Sequence, residues 1–536
     1  MKKNLKNWDK TKNLFLNWLS NSKIKFIFIN NFKYENLSLW WISNLTFKDS
    51  ALDNSWYKNF SYLINKSKNI NRPKTNKFEF FKLIKKFFLT IIFTLLCKLT
   101  FKKVKKNIQV SNCLLSFERN IVPYKKIYVE RQYGLFQFQK SKDYRFLIFL
   151  FPNIKTIFNY RKKTKEFSSM NYDFSILNCY VSIFDIFRIY IFTFISFLKF
   201  KLFYNNEKYY LIKKINCSKI LKNLLESSFS GKIQDDLIYG LALRRFLNQH
   251  ECSRLFNYCE FFNFSKSFYY FAKTSNNQTK VITINHYPYE KNLLFFSLKK
   301  EDFSQKQDFI KYSPKPDIFL TQGELYKKYL NKIFPLNNNI YAIGSMKNEL
   351  NKFSKEKINN KNIFKYKKLN KKIISIFLGA NSHINILEHL KFVDLSNFYL
   401  IIRPHPFIKD IKQKIINEFK ITLNMEIDTA ENLRSKEVMK LSHFIICDDS
   451  SSAIDAILFK NKSTKVFRII SNIEPPSFSE EQGIKILESK QEIENFLKNK
   501  KNTNQINKKT IIKKFFFKND LKASERLLNL IKRGKI

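Results

Sequence analysis

A chain of 536 residues is too long for one ordinary hydrophobic core, so two domains or more are expected. A hydrophobic content of 44% excludes wholesale disorder, and a net charge of +53 favours anionic partners such as nucleotides, phospholipid surfaces or acidic glycans. Lys, Asn, Ile, Phe, Tyr and Leu all have codons built only of A and T, so with 8 Gly in the chain the excess reads chiefly as base bias of the gene; no RNA- or DNA-binding motif accompanies it, and no specific nucleic-acid partner is expected.

The first residues, MKKNLKNWDKTKNLF, lack the apolar core of a signal peptide. Lys23 to Asn30 reads as an opening strand, followed by an amphipathic segment around Trp40-Trp41-Ile42 whose Trp pair suits packing better than ligand stacking. Asn65 to Lys86, rich in Lys and Asn, reads as a linker into a first apolar helix at about 81–101. Strands are expected over Ile108–Phe117, Lys126–Phe138 and Tyr144–Phe151, and a second apolar helix over 181–204. The apolar runs within them, Phe87–Phe101 interrupted by Lys98 and Ile189–Leu198 bracketed by Arg188 and Lys199, fall short of the roughly 20 residues that span a bilayer. They fit either buried core helices or interfacial docking, with Lys and Arg at the headgroups and Phe and Ile below.

From Gln234 onward strand and helix alternate in short units, which implies a parallel sheet covered by helices. The strand Arg254–Tyr258 ends at Cys259-Glu260, Thr279–Asn285 ends at His286, Asp317–Leu320 leads into helix Glu324–Ile333, and Ile340–Ile343 closes on Gly344-Ser345. The Lys- and Asn-rich stretch 351–371 is the best domain boundary. A second alternation follows, with strands at Ile373–Leu378, Phe398–Ile402, Ile421–Met425, Phe444–Cys447 and Lys465–Ile469 and a closing helix through FFFKNDLKASERLLNLI. Seven dispersed cysteines without a CxxC suit a reducing compartment and argue against zinc.

Two strands of the second alternation end in polar clusters. One delivers Arg403-Pro404-His405-Pro406, the other Asp448-Asp449-Ser450-Ser451-Ser452. In an open α/β sheet ligands bind beyond the carboxyl ends of strands, so both clusters would border one crevice. Ser450 to Ser452 precede a helix with Ala453, Ile454, Ile457 and Leu458 on one face. Free N–H groups and the positive end of the helix dipole make that position an anion site suited to phosphate. A capped helix alone would explain the serines but not the neighbouring His-Pro cluster. Asp448-Asp449 could mimic a metal clamp, but no metal or cofactor is expected.

The pattern Arg403-Pro404-His405-Pro406 with Asp448-x-Ser450-Ser451-x-x-x-Asp455 resembles the His-Pro and Ser-Ser motifs of CMP-sugar-using bacterial sialyl- and polysialyltransferases and of CDP-glycerol glycerophosphotransferases of wall teichoic acid. Across most of its length, with SLWWISNL, the strand ends at Cys259-Glu260 and Asn285-His286 and the tail, the chain is similar to bacterial surface carbohydrate (O-antigen or capsule) biosynthesis proteins. The resemblance implies an α/β fold of GT-B type, two Rossmann-like domains facing across a cleft. Residues 1–350 would form an acceptor domain with the apolar helices as insertions, 351–371 a linker and 372–536 a nucleotide-donor domain.

The resemblance also implies roles. Arg403, His405, Pro406, Asp448, Ser450, Ser451, Ser452 and Asp455 would hold a nucleotide donor of the CMP or CDP class, with Asp455 on a ribose or sugar hydroxyl where those families often carry Glu. Gly379, Asn381 and His383 would line the cleft. His286 would be the base, although Tyr287 replaces the Gly of the family's His-Gly, and Glu260 would act with it or orient it. The implied protein is a cytoplasmic glycosyltransferase of surface polysaccharide synthesis, acting on a nucleotide-sugar donor and a glycan or lipid-linked acceptor, with peripheral contact to an anionic membrane open. The alternative is a degenerate, non-catalytic GT-B scaffold in a glycan assembly complex.

Overall fold

A computed structural model describes residues 2–47, 79–101, 109–124, 127–138, 144–152, 173–204, 206–258, 260–286, 296–304, 307–334, 339–353, 365–378, 392–403, 435–447, 452–459, 464–469, 484–487, 489–498, 508–518 and 520–536, with a few isolated positions between them. Its strands build two principal sheets. The first contains β1 (Gln109–Phe117), β2 (Tyr144–Phe149), β3 (Phe174–Ile176), β4 (Glu251–Tyr258), β5 (Lys280–Ile284), β6 (Ile318–Thr321) and β7 (Ile340–Ala342). Their spatial order is β3-β2-β1-β4-β5-β6-β7, and every pairing is parallel. The second contains β8 (Lys372–Phe377), β9 (Phe398–Arg403), β10 (Ile427–Asp428), β11 (Phe444–Cys447), β12 (Lys465–Ile469) and β13 (Lys485–Leu487), in the all-parallel order β10-β9-β8-β11-β12-β13.

Both sheets follow the doubly wound order in which the chain starts centrally, winds one way and then reverses. This is the α/β, two-Rossmann plan of GT-B proteins. The order reverses between β1 and β4 in the first sheet and between β8 and β11 in the second. The central strands are apolar on both faces because helices cover both sides. In β8, Ile374 and Ile376 join one core with Leu400, Ile402 and Phe467, while Ile373 and Phe377 join the other with Tyr399, Ile401 and Val466.

Helices of the first half include α1 (Lys23–Asn31), α2 (Phe80–Thr100), α3 (Ile183–Phe203), α4 (Lys232–Gln249) and α5 (Asn263–Lys273). Then come α6 (Glu324–Ile333), α7 (Met346–Phe353), α8 (Ser452–Phe459), α9 (Lys508–Phe516) and α10 (Ala523–Lys532). Helices α2 and α3 stand where the two apolar insertions are expected.

Three expectations are corrected. Lys23 to Asn30 is helical, not a strand: Ser22 caps it by accepting from the Lys25 N–H, and Ile24, Phe28 and Ile29 bury one helical face. The alternation in KIKFIFIN fits both periods, and the cap together with tertiary packing selects the helix. Lys126–Phe138 is a short strand, Ile127–Glu130, followed by a turn and a 3-10 segment, Phe136–Phe138. The tail is two helices, α9 and α10, broken where Phe517 and Leu521 take φ of 59° and 54°. The strand expected at Ile421–Met425 and much of the 351–371 boundary lie outside the described residues.

The tail ties the halves together. Ile511, Phe515 and Phe516 of α9 are buried in the second core, whereas Ala523 and Leu527 of α10 and the final Ile536 are buried in the first. Gly323, at the start of α6, meets α9 so closely that a Cβ there would strike the Lys514 carbonyl oxygen. Glu349 of α7 is 1% exposed and accepts from the Ser524 N–H at 2.7 Å, the Ser524 hydroxyl and the Leu135 N–H at 3.1 Å. Arg526 adds a bond from Nε to the Ile343 carbonyl at 2.6 Å and a paired contact to Asp520 at 2.7 and 2.9 Å. A carboxylate at the first turn of α10 also suits the helix dipole. Replacing Glu349 with Ala would strand buried N–H groups at both ends of this clasp. Urea unfolding of E349A should show a loss of about 2–3 kcal/mol, and an unchanged midpoint would refute the clasp.

Candidate functional site

The carboxyl edge of the first sheet carries a buried polar network. Glu260 follows β4, Asn285 and His286 follow β5, and Gln322 follows β6. Glu260 Oε2 lies 3.3 Å from His286 Nδ1, and its Oε1 accepts from the Asn285 side-chain amide. Gln322 donates from Nε2 to the Asn285 carbonyl at 3.0 Å, so adjacent strand ends are cross-linked. The backbone of Glu260 is fixed in turn by the Tyr269 hydroxyl of α5, which donates to its carbonyl at 2.6 Å. Helix α5 is anchored on the segment with the Trp pair: Asn263 donates to the Ile42 and Ser43 carbonyls, and Lys266 to those of Trp41 and Thr46. Trp40 and Trp41 are buried, as packing residues should be.

His286 is itself largely enclosed, at 7% exposure, with the ring of Phe262 edge-on at 5.4 Å. Burial holds its imidazole below the ordinary range; Glu260 pulls the other way, and the positive charges of Lys347 and Arg131 reinforce the lowering. A neutral imidazole whose Nδ1–H is directed to a carboxylate presents Nε2 as an acceptor. That is the state a general base needs.

Arg131 is exposed in the turn after Glu130, and that turn is built from within. Glu130 accepts from the N–H groups of Gln132 and Tyr133 at 2.7 and 3.0 Å, and Gln137 brackets it with bonds to the Glu130 N–H and carbonyl. The Tyr133 hydroxyl reaches the carbonyls of Leu115 and Phe256, closing the gap between β1 and β4 where the strand order reverses. Gly134, at φ 54°, lets this turn lie against the start of α7, where a Cβ would strike the Met346 carbonyl. Lys347, one residue into α7, thereby shares the edge with Arg131 and His286. Lys347 is exposed at this edge. Desolvation lowers its ammonium pKa, with Asp455 opposing and Arg131 assisting.

Asp455 comes from α8 of the second half, so the two carboxyl edges approach at this pair. Burial raises the Asp455 carboxyl above its ordinary value and Lys347 offsets part of the rise. Ser345, Asn348, Leu458, Phe516, Lys522 and Arg526 line a small pocket on the same boundary.

Of the residues singled out in the sequence, His286 and Glu260 are brought together, and Asp455 stands across the boundary from Lys347. Arg403 ends β9, half-buried; burial works against its charge while Tyr366 and Glu437 support it. Ser452 opens α8. His405, Pro406, Asp448, Ser450 and Ser451 lie outside the described residues, as do Gly379, Asn381 and His383. Their flanking strands end at the reversal between β8 and β11 or next to it. Arg131, Lys347, Asn285 and Gln322 were not singled out. Asn285 and Gln322 each stand just past a strand end, which is the signal that could have found them, whereas Arg131 sits in a turn with no motif.

No family model matches the chain, and no curated protein matches it. Solved structures are similar in the course of the chain. One is S. aureus MnaA with UDP, at 12% identity and a TM-score of 0.45 over 79% of this chain and 96% of that one. Another is UDP-GlcNAc 2-epimerase from Neisseria meningitidis bound to UDP-GlcNAc, at 11% and 0.46 over 80% and 100%. A third is the wall teichoic acid polymerase TagF, at 12% and 0.39 over 85% and 97%. At these identities the likeness assigns no residue a role.

Glu130 holds the turn that carries Arg131. It is fully buried, and desolvation pushes its carboxyl up to about 8 despite the two N–H bonds that favour the charge. Between the ordinary carboxyl range and about 8 the folded chain keeps a proton that the unfolded chain has released, so stability falls as pH rises through that window. The slope is on the order of 1.4 kcal/mol per pH unit. Glu130→Gln keeps the acceptor and removes the titration; denaturation midpoints from pH 5 to 8 should be flatter for E130Q than for the parent, and parallel curves would refute the assignment.

Proposed function

We propose that the protein is a GT-B transferase that moves a sugar or glycerol phosphate from a nucleotide-activated donor to a glycan or lipid-linked acceptor in surface polysaccharide synthesis, on the cytoplasmic side of the membrane. The observation that carries the reading is the buried His286–Glu260 pair at the carboxyl edge of the first sheet, with Lys347 and Arg131 beside it and Asp455 approaching from the second half. In this reading Glu260 fixes the tautomer, and neutral His286 takes the acceptor hydroxyl proton from Nε2 as the new bond forms. The leaving nucleotide gains negative charge as the donor bond breaks. Arg403, His405, the serines 450–452 and the start of α8 would stabilise that charge without a metal ion, and Lys347 and Arg131 add cations to the same cleft. The CMP or CDP class of donor is favoured by the His-Pro and Ser-Ser pair of motifs, and Asp455 would meet a donor hydroxyl once Lys347 turns away. Gly379, Asn381 and His383 would line the donor side.

One observation favours the second reading, a non-catalytic GT-B scaffold. The ring of His286 is enclosed, so an acceptor reaches it only if the cleft opens. Thermal shifts of the purified protein with CMP, CDP, UDP and GDP separate the cases. Stabilisation by one cytidine nucleotide is expected, and no response to any of the four would sink the donor site. With a donor in hand, turnover should fall by about 100-fold or more in H286N while the nucleotide shift is retained; retained turnover would rule His286 out as base.

The lowered imidazole sets a further expectation. The acidic limb of kcat/KM should lie below the usual imidazole value of about 6.5, because burial favours the neutral, proton-accepting form. In E260Q the limb should move lower still, since Glu260 raises the pKa of His286. A limb above the ordinary value would contradict the assignment.

A further inference from the structure

Helices α2 and α3 each bury one face in the first core, through Leu83, Phe93 and Cys97 in one and Ile186, Ile189 and Phe200 in the other. They lie side by side and antiparallel: Phe80 meets Phe194 at 6.0 Å, and Phe87 meets Phe187 at 5.0 Å. A helix packed on a core in this way ordinarily turns a polar face outward. Here the outward face is apolar. In α2 it consists of Phe81, Ile84, Phe88, Ile92, Leu95 and Leu99, all exposed, with Phe81 at 86% and Leu99 at 84%. The spacing is i, i+3, i+7, i+11, i+14, i+18, a single stripe along the whole helix. In α3 the same spacing recurs from Phe184, at 86% exposed, through Phe187, Ile191 and Ile195 to Leu202, at 75%. Two matched stripes on neighbouring helices make one apolar surface, each helix about 30 Å long at 1.5 Å per residue.

A patch of this size marks an interaction site. No described helix is long and apolar enough to cross a membrane. The charges around the patch identify its partner. Exposed Lys82, Lys85 and Lys98 edge the stripe of α2, and exposed Arg188 and Lys199 edge that of α3. The one acidic residue within the two helices, Asp185, is buried and paired with Arg245 at 2.5 Å. A second copy of the chain would bring the same basic rim against itself. An anionic bilayer supplies acyl chains for the stripes and negative headgroups for the rim.

We infer that α2 and α3 form an interfacial docking surface that lies in the plane of an anionic membrane, with the apolar stripes below the headgroups and the lysines extending up to them. This inference is independent of the chemistry proposed for the cleft, since no residue of the two stripes belongs to it.

The test is flotation of the full chain with phosphatidylcholine vesicles, with and without phosphatidylglycerol. Binding to the mixed vesicles is expected, weakening as salt rises. Ile92→Asp with Ile191→Asp, at positions 47% and 56% exposed, should lower that binding by about tenfold or more with an unchanged circular dichroism spectrum. Should that pair misfold, Lys85→Glu with Lys98→Glu tests the rim alone and should abolish the preference for phosphatidylglycerol. Absence of vesicle binding, or binding that both variants leave unchanged, overturns the inference. So does a dimer in light scattering that the aspartate pair dissociates, because the face would then belong to a second copy.

Discussion

A buried carboxylate on α7 holds the end of the chain to its first half. Glu349 accepts from Ser524 at the start of α10 and from Leu135 in the turn after Glu130, so a single side chain joins three segments remote in sequence. The arrangement of the cleft depends on it. The same turn carries Arg131, the same helix carries Lys347, and the joined tail passes through the second core before returning. Desolvation raises the Glu349 carboxyl, opposed by its bonds to Ser524 and Leu135 and by Arg526, so the acid is retained inside the protein only because those partners surround it. Each polar side chain of the first edge is held in a comparable way: Glu260 by Tyr269, Asn285 by Gln322, and Arg131 by the Glu130–Gln137 turn.

Much of the two-sheet plan was legible because strands buried on both faces leave runs that have no other use. Ile373–Leu378 and Phe444–Cys447 read as strands within a residue of their observed limits. Of the four short edge strands of the two sheets, only Ile340–Ala342 read as a strand. Phe174–Ile176, Ile427–Asp428 and Lys485–Leu487 are two or three residues long, and their pairing partners, not their own pattern, make them strands. KIKFIFIN misled for the opposite reason, because its aromatic and β-branched residues suit a pleat while its helical face is completed only by the cap at Ser22.

The site divides along the same line. His286 and Glu260 were recognisable because each stands just past a strand, where a doubly wound sheet exposes its functional groups. Their 3.3 Å approach could be anticipated from two adjacent strand ends. Lys347 and Arg131 could not, since what brings them to the edge is a glycine turn lying on a helix start more than two hundred residues later. Charge composition alone would have hidden them among 97 basic residues. What distinguishes Lys347 is its place beside Arg131 and within electrostatic reach of Asp455, a property of the fold and not of the sequence.

The contact between Gly323 and Lys514 bears on how the cleft can open. The first half meets the second there backbone to backbone, with no side chain between them to compress or swing aside. Sliding one half past the other would drive the Lys514 carbonyl into the start of α6. Rotation about that point displaces it hardly at all. The contact therefore resists sliding and permits rotation, so an opening that gave access to His286 would be a hinge rotation, with the rims farthest from Gly323 travelling the greatest distance.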